Sequence, residues 1–290
     1  MATGGAPTDP WPAGRIAPPP DLPAEVVSLA ENSNLHHPLG PGTERVEDPR
    51  YVVFLGPGSF AGFTVVQRLR LDPGTVVGTV AEVRALLNGR GRFERTWEIG
   101  SSATPPDLTD RLLAMGMVPD REPYAVGMVL DAPPGPGPPD VEVRRVETRE
   151  EFLACIRVAM ESFGMSGGDL EEATARADED WEALRSSEAV VQFLALIDGE
   201  PVAQARATFT PNGVLLNGGA TLERARGRGA YRALVRARWD EAERRGAGSL
   251  VTQAGAMSRP ILARLGFREV CDIRILLDRS DPGAGHPADG

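Results

Sequence analysis

The run Thr221 to Leu234, TLERARGRGAYRAL, places Arg224, Arg226 and Arg228 at alternate positions, with Gly227 and Gly229 ahead of a helical pattern. An apolar, strand-like stretch from Val214 to Thr221 feeds into it. A strand that turns through glycines into a helix makes an anion site. The first helical N–H groups lack partners, the helix N-terminus is positive, and glycine lets a ligand approach the backbone. Taken alone, the run could equally be a solvated loop or a polyanion patch.

The other residues capable of chemistry are sparse. His36 and His37 stand together in a Pro/Gly-rich segment with no third metal ligand at useful spacing, so they are expected to bind no metal. Cys155 and Cys271 are the only cysteines, too few for a disulfide framework or a zinc site, and point to a reduced, cytoplasmic setting. Asn217, Gln204 and Glu223 lie on or beside strands and read as structural or surface residues. The chain has 290 residues and a formal charge of −10, and all its basic residues are arginines. That acidic balance argues against binding nucleic acid or an anionic membrane surface. No apolar run approaches the roughly 20 residues of a membrane span.

Two domains of ordinary size are expected from the length. Residues 1–20 are rich in Pro, Gly and Ala and read as a flexible tail, as do residues 280–290. The first domain spans 21–131. It opens on a helix capped by Asp21 and running to about Asn32. Strands follow at Tyr51 to Leu55 and Phe63 to Leu71, with loops marked by Gly58, and then a helix from Thr79 to Leu87. Further elements are a strand at Thr96 to Ile99, a helix at Pro106 to Met115 and a strand at Ala125 to Leu130. Residues 132–140, almost entirely proline and glycine, form a linker.

The second domain, 141–279, begins with a strand at Val141 to Val146 and a helix announced by Thr148 and Glu151. That helix breaks at Gly164 and Gly167, and a charged helical stretch follows from Asp169 to Leu184. Val190 to Ile197 and Val202 to Phe209 form a hairpin around Asp198-Gly199. After the arginine-glycine run come a helix to about Gly246, a strand at Leu250 to Gln253, a short helix at Pro260 to Leu265 and a strand at Val270 to Leu277. The two halves share a pattern. RLLAMGM followed by YAVGMVLD (Arg111 to Asp131) parallels ARLGF followed by DIRILLD (Ala263 to Asp278), and VRALL at Val83 parallels YRALV at Tyr231. Two copies of one αβ unit are therefore expected. Only the second has the loop: where it reads RARGRGAY, the first has LDPGTV (Leu71 to Val76).

With these elements in place, the second half resembles the GNAT superfamily of acyl-CoA-dependent N-acetyltransferases. The family signature is Arg or Gln, two residues, Gly, one residue, then Gly or Ala. Arg226, Gly227, Arg228 and Gly229 match it, and Tyr231 stands where a small residue is usual. The later SRPILARLGF (Ser258 to Phe267) is similar to a second conserved region. The resemblance covers about Val141 to Asp278, and the repeat extends it to a tandem form. It implies an α/β (α+β) fold of two GNAT-like domains, each with a mixed, mostly antiparallel sheet flanked by helices and the first degenerate.

The resemblance also implies that acetyl-CoA, or another short acyl-CoA, is the co-substrate, and that no metal is used. Backbone amides from Gly227 through Ala230 to Tyr231 would hold the pyrophosphate. Ala220, Thr221 and Leu222 would pair with the pantetheine arm, and Ser258 occupies a position where an Asn is common. The implied reaction is acyl transfer to an amine of a small molecule or peptide, in a chain compatible with a homodimer. A noncatalytic acyl-CoA-binding or sensing protein is the alternative, because Leu262 occupies the place where a general-acid Tyr often stands.

Overall fold

The computed structural model describes residues 10–57, 63–165 and 168–281. The expected tails lie in part outside these, as do the loop residues Gly58 and Gly167. The strands are β1 (Glu44–Asp48), β2 (Tyr51–Leu55), β3 (Thr64–Gln67), β4 (Glu94–Gly100), β5 (Val118–Leu130) and β6 (Val141–Arg145), then β7 (Val190–Ile197), β8 (Glu200–Thr210), β9 (Gly213–Thr221), β10 (Leu250–Ala254) and β11 (Arg268–Arg279). The helices are α1 (Ala24–Glu31), α2 (Val76–Asn88), α3 (Leu108–Ala114), α4 (Arg149–Ser162), α5 (Gly168–Ala175), α6 (Ala177–Ser186), α7 (Ala230–Arg244) and α8 (Arg259–Arg264).

The strands form one sheet in the order β1-β2-β3-β4-β11-β5-β10-β9-β8-β7-β6. Only β3/β4 and β9/β10 pair in parallel. Successive side chains on a strand face opposite sides, so the sheet divides its residues between two layers. On one face α2, α3, α7 and α8 bury residues such as Leu87, Leu112, Leu234 and Leu262 against Trp97, Leu276, Met128 and Leu250. On the other, Val26 and Leu29 of α1 pack on Val129, Leu215 and Val251. There, too, Phe152 and Cys155 of α4 pack on Leu194 and Leu196. The sheet curls over this second face. His37 lies 6.2 Å from the Phe54 ring on β2, yet it also feels the charge of Arg206 on β8.

The strand order contains an exchange that the linear reading of 21–131 and 141–279 did not foresee. The last strand, β11, lies between β4 and β5, and β5 in turn pairs with β10. Each half therefore inserts its final strand into the sheet of the other. The exchange is anchored by a buried ion cluster: Asp278 of β11 meets Arg95 of β4 at 2.7 Å and Arg84 of α2 at 2.8 Å. Asp278 and Arg95 are 1% and 0% exposed, so the charges are compensated entirely inside the protein.

Local signals explain most elements. Thr148 and Glu151 form the reciprocal capping box that starts α4. Asp198 and Gly199 take the left-handed conformation required by a two-residue hairpin. Several boundaries differ from expectation. Pro23, not Asp21, precedes α1, and the charged stretch divides into α5 and α6 at Arg176. Strand β1, rich in charged residues and lying at the sheet edge, has no apolar signal. Residues 10–20, expected within a flexible tail, are held on the sheet. Trp11 is buried and donates to the Pro123 carbonyl at 2.7 Å, and Arg15 pairs with Asp272 at 2.9 Å.

Candidate functional site

Strands β9 and β10 pair only at Val214/Leu250 and Leu215/Val251. Beyond that vertex β10 continues along β5 and β9 continues along β8, so the two parallel strands splay apart. A bulge at Gly218 and Gly219, opposite Ala205, bends β9 at this point, with Gly218 at φ 61°. The Leu222 amide turns toward β8 and donates to the Val202 carbonyl at 2.9 Å. Because amides alternate along an extended chain, the Thr221 N–H faces the splay. Ala220 and Leu222 are buried on either side of it. The expected arm-binding residues Ala220, Thr221 and Leu222 thus form one wall of the opening.

After Thr221 a short turn, Glu223–Ala225, leads through Arg226 to the loop. Gly227 and Gly229 both have left-handed φ, at 79° and 83°, and α7 begins at Ala230. These two residues are where the chain needs glycine, since a side chain is disfavoured in that region. The first-turn amides of α7 have no partner within the helix and face the loop. Two arginines are engaged with neighbouring acids: Arg224 pairs with Glu161 of α4, and Arg228 with Asp198 at 3.4 Å and Asp140 at 4.0 Å. Arg226 is exposed at the start of the loop. The Pro/Gly linker straps the flank of α7, with Pro138 against Gly229 and the Pro134 carbonyl accepting from Arg236 at 3.0 Å.

Tyr231 stays clear of the loop. Its ring lies on Gly219, where an added Cβ would meet Cε2 at 3.2 Å, and the buried Arg238 sits 5.7 Å from its centroid. The glycine on β9 makes room for the large residue on α7. Ser258 occupies the N-cap position of α8, beyond the end of β10, without a side-chain capping bond. Leu262 is a core residue, 1% exposed.

The second face of the sheet is polar near the splay. Gln192 donates to Gln204 at 3.0 Å and accepts from Arg206 at 3.1 Å, and Gln204 donates to the Gly218 carbonyl at the bulge. Asn217 accepts from Thr208 at 3.4 Å. Gln204 and Asn217 thus support the bulged strand. His37 is held neutral, its pKa pushed down to about 4 by burial and then by the charges of Arg206 and Arg45. Burial pushes the Cys155 thiol up to about 12 and raises that of Cys271 as well, so neither is a ready nucleophile. Sequence reasoning missed Glu98 on β4. Burial raises its pKa to about 7, countered in part by the nearby Gln253 side chain of β10. No local motif marks it, because the sheet curl and the strand exchange bring it into place. Among the described residues no group of three or more His, Cys, Asp or Glu could hold a metal ion, and no helix is long and apolar enough to cross a membrane.

No protein-family model and no curated protein matches the sequence. Solved structures do match the fold. A GCN5-related N-acetyltransferase from Kribbella flavida superposes with a TM-score of 0.67 at 19% identity, covering 89% of this chain and 97% of its own. A GCN5-related N-acetyltransferase from Sphaerobacter thermophilus gives 0.57 at 17% identity over 79% and 80%. A tandem GNAT protein from the clavulanic acid biosynthesis pathway gives 0.57 at 17% identity over 94% and 91%. The chain has the fold of these proteins, the tandem GNAT fold, as its sequence pattern implied.

Proposed function

We propose that the C-terminal half binds an acyl-CoA and transfers its acetyl or short acyl group to an amine of a small molecule or peptide. The observation that carries this reading is the open β9/β10 splay leading directly into the Gly227/Gly229 loop and the N-terminus of α7. The residues fit the co-substrate. A pyrophosphate would accept from the α7 first-turn amides, favoured by the positive helix end. The amide-bearing arm would pair with the free edge of β9 at Ala220 to Leu222. Backbone N–H groups on that edge would stabilise the oxyanion that develops as the thioester carbonyl is attacked. Ser258 begins α8 beyond the end of β10, and the Tyr231 ring is folded onto Gly219.

In the same reading residues 21–131 form a degenerate copy that supplies part of the acceptor site, and residues 132–140 strap α7 in place. The test is thiol release from acetyl-CoA with a panel of amines, set beside calorimetric binding of CoA. Turnover with an amine supports transfer, binding without turnover on any amine favours a noncatalytic acyl-CoA-binding role, and absence of both rejects the reading.

A further inference from the structure

Past the vertex Leu215/Val251, the next residues on the same face are Asn217 and Gln253, which stand across the open splay from one another at the level of the bulge. Gln253 donates to the Glu31 carbonyl at 3.1 Å, and its side chain is near enough to the Glu98 carboxyl group to favour the charged form. Glu98 belongs to the other half of the chain, on β4. Its Oε2 atom is buried and has no partner within the protein. Beside it on β3, one step past the pair Val66/Trp97, lies Gln67, fully buried. Gln67 accepts from Asn34 at 3.4 Å, while its Nε2 has no protein partner. Asn32, 3% exposed at the end of α1, also has an unpartnered Nδ2. Buried polar groups are almost always paired, so an acceptor and a donor left over on neighbouring strands, with a further donor at the end of the helix that covers the same face, point to a ligand that supplies the complement.

We propose that Glu98 of the N-terminal half is the proton acceptor for the amine acylated in the C-terminal half, and that this amine is primary and carries a hydrogen-bond-accepting oxygen nearby. The inference rests on the acyl-transfer reading. The Glu98 carboxylate takes one proton from the substrate ammonium, leaving a neutral amine. The nitrogen lone pair attacks the thioester carbonyl carbon to form the C–N bond. When the C–S bond breaks, the sulfur leaves with that bonding pair and accepts the second proton from nitrogen, and Glu98 returns its proton to solvent. The Gln67 and Asn32 amides donate to the substrate oxygen and fix the nitrogen at Glu98.

Burial, partly countered by Gln253, accounts for the shift at Glu98. With a pKa of about 7 it accepts a proton efficiently near neutrality.

The experiment measures kcat/KM against pH for wild type and E98Q with acetyl-CoA and glucosamine, glycinamide or n-hexylamine, together with acetyl-CoA binding by calorimetry. For E98Q we expect a loss of about 100-fold or more, disappearance of the acidic limb near pH 7, and unchanged acetyl-CoA affinity. Turnover close to wild type with the limb retained would overturn the assignment. Should E98Q fail to fold, Q253L decides. Losing the Gln253 amide beside the carboxylate moves the limb to higher pH, and an unmoved limb would overturn the proposal. Glucosamine and glycinamide should react faster than n-hexylamine; equal rates would sink the oxygen requirement. Failure of wild type to bind acetyl-CoA at all would remove the acyl-transfer reading itself, an outcome distinct from tight binding with an indifferent E98Q.

Discussion

The two halves carry the same parallel strand pair and treat it in opposite ways. In the C-terminal half β9 and β10 part after two residue pairs and stay apart. In the N-terminal half β3 and β4 also pair at only two positions, Val65/Thr96 and Val66/Trp97, but the chain beyond them is drawn together again. Arg68 kinks the strand at φ 53°, and Leu71 donates to the Thr104 carbonyl at 3.1 Å while Thr104 donates to that of Leu69 at 3.2 Å. The turn into α2 is closed on itself, with Thr75 donating to Asp72 at 2.9 Å. Backbone groups that would face a ligand in an open splay are therefore already satisfied. An opening in this fold is a feature kept in one copy, and the other copy shows what the same strands do without it.

The comparison assumes that the halves are one body, and the exchange of β5 and β11 can be tested most severely. Replacing Asp278 with Ala leaves Arg95 buried without its carboxylate, a loss of roughly 3–5 kcal/mol. Because Asp278 lies on β11 but is held by β4 and α2 of the other half, urea unfolding of D278A should show both halves destabilised in one transition. Two transitions, only one of them moved, would mean that the halves fold independently.

Next in size is the loop. Gly227 is the less crowded of the two sites, because a Cβ at 227 meets no atom within 4 Å whereas one at 229 runs into Pro138, and Gly227→Ala controls for the strain that the left-handed φ of 79° puts on any side chain there. Gly227→Glu puts an acid at the anion seat and should weaken acetyl-CoA binding by about 100-fold, equivalent to roughly 2.7 kcal/mol. Gly74→Glu, in the matching turn of the closed copy, also meets open space and should leave the affinity unchanged. Equal losses at the two positions would show that both copies bind.

Much of this contrast was legible in the sequence. The arginine-glycine run, the capping box at Thr148 and the repeated helix-strand tails are local patterns, and local patterns fixed the strand, loop and helix of the candidate site. What the sequence hid depends on partners far along the chain. The tail strands Ala125 to Leu130 and Val270 to Leu277 were recognisable as strands, yet nothing in their apolar patterns says that each pairs within the opposite half. Glu98 follows from that exchange and from the curl of the sheet, so its placement near Gln253 had no local signal. Tyr231 departs from the small residue usual at its position, and the space for its ring comes from Gly219, twelve residues earlier on another element.

The smallest expected effect asks whether the closure of the N-terminal splay is a matter of backbone or of side chain. Thr104 Oγ1 donates to the Leu71 carbonyl at 3.1 Å, reinforcing the two backbone bonds beside it. Thr104 is exposed, so water can replace the lost donor, and Thr104→Val should cost only about 0.5 kcal/mol. That is a fall in Tm of about 1–2 °C by scanning calorimetry for a chain of this size. In the open copy Thr252 Oγ1 makes a corresponding bond across the vertex to the Leu216 carbonyl at 3.1 Å, but there the residue is 6% exposed. Thr252→Val leaves a buried carbonyl short of a donor and should cost about 1–3 kcal/mol, with acetyl-CoA affinity reduced as the vertex loosens. If Thr104→Val proved the more damaging of the two, or changed acetyl-CoA affinity, the closed splay would be holding more of the fold, and more of the site, than its satisfied backbone accounts for.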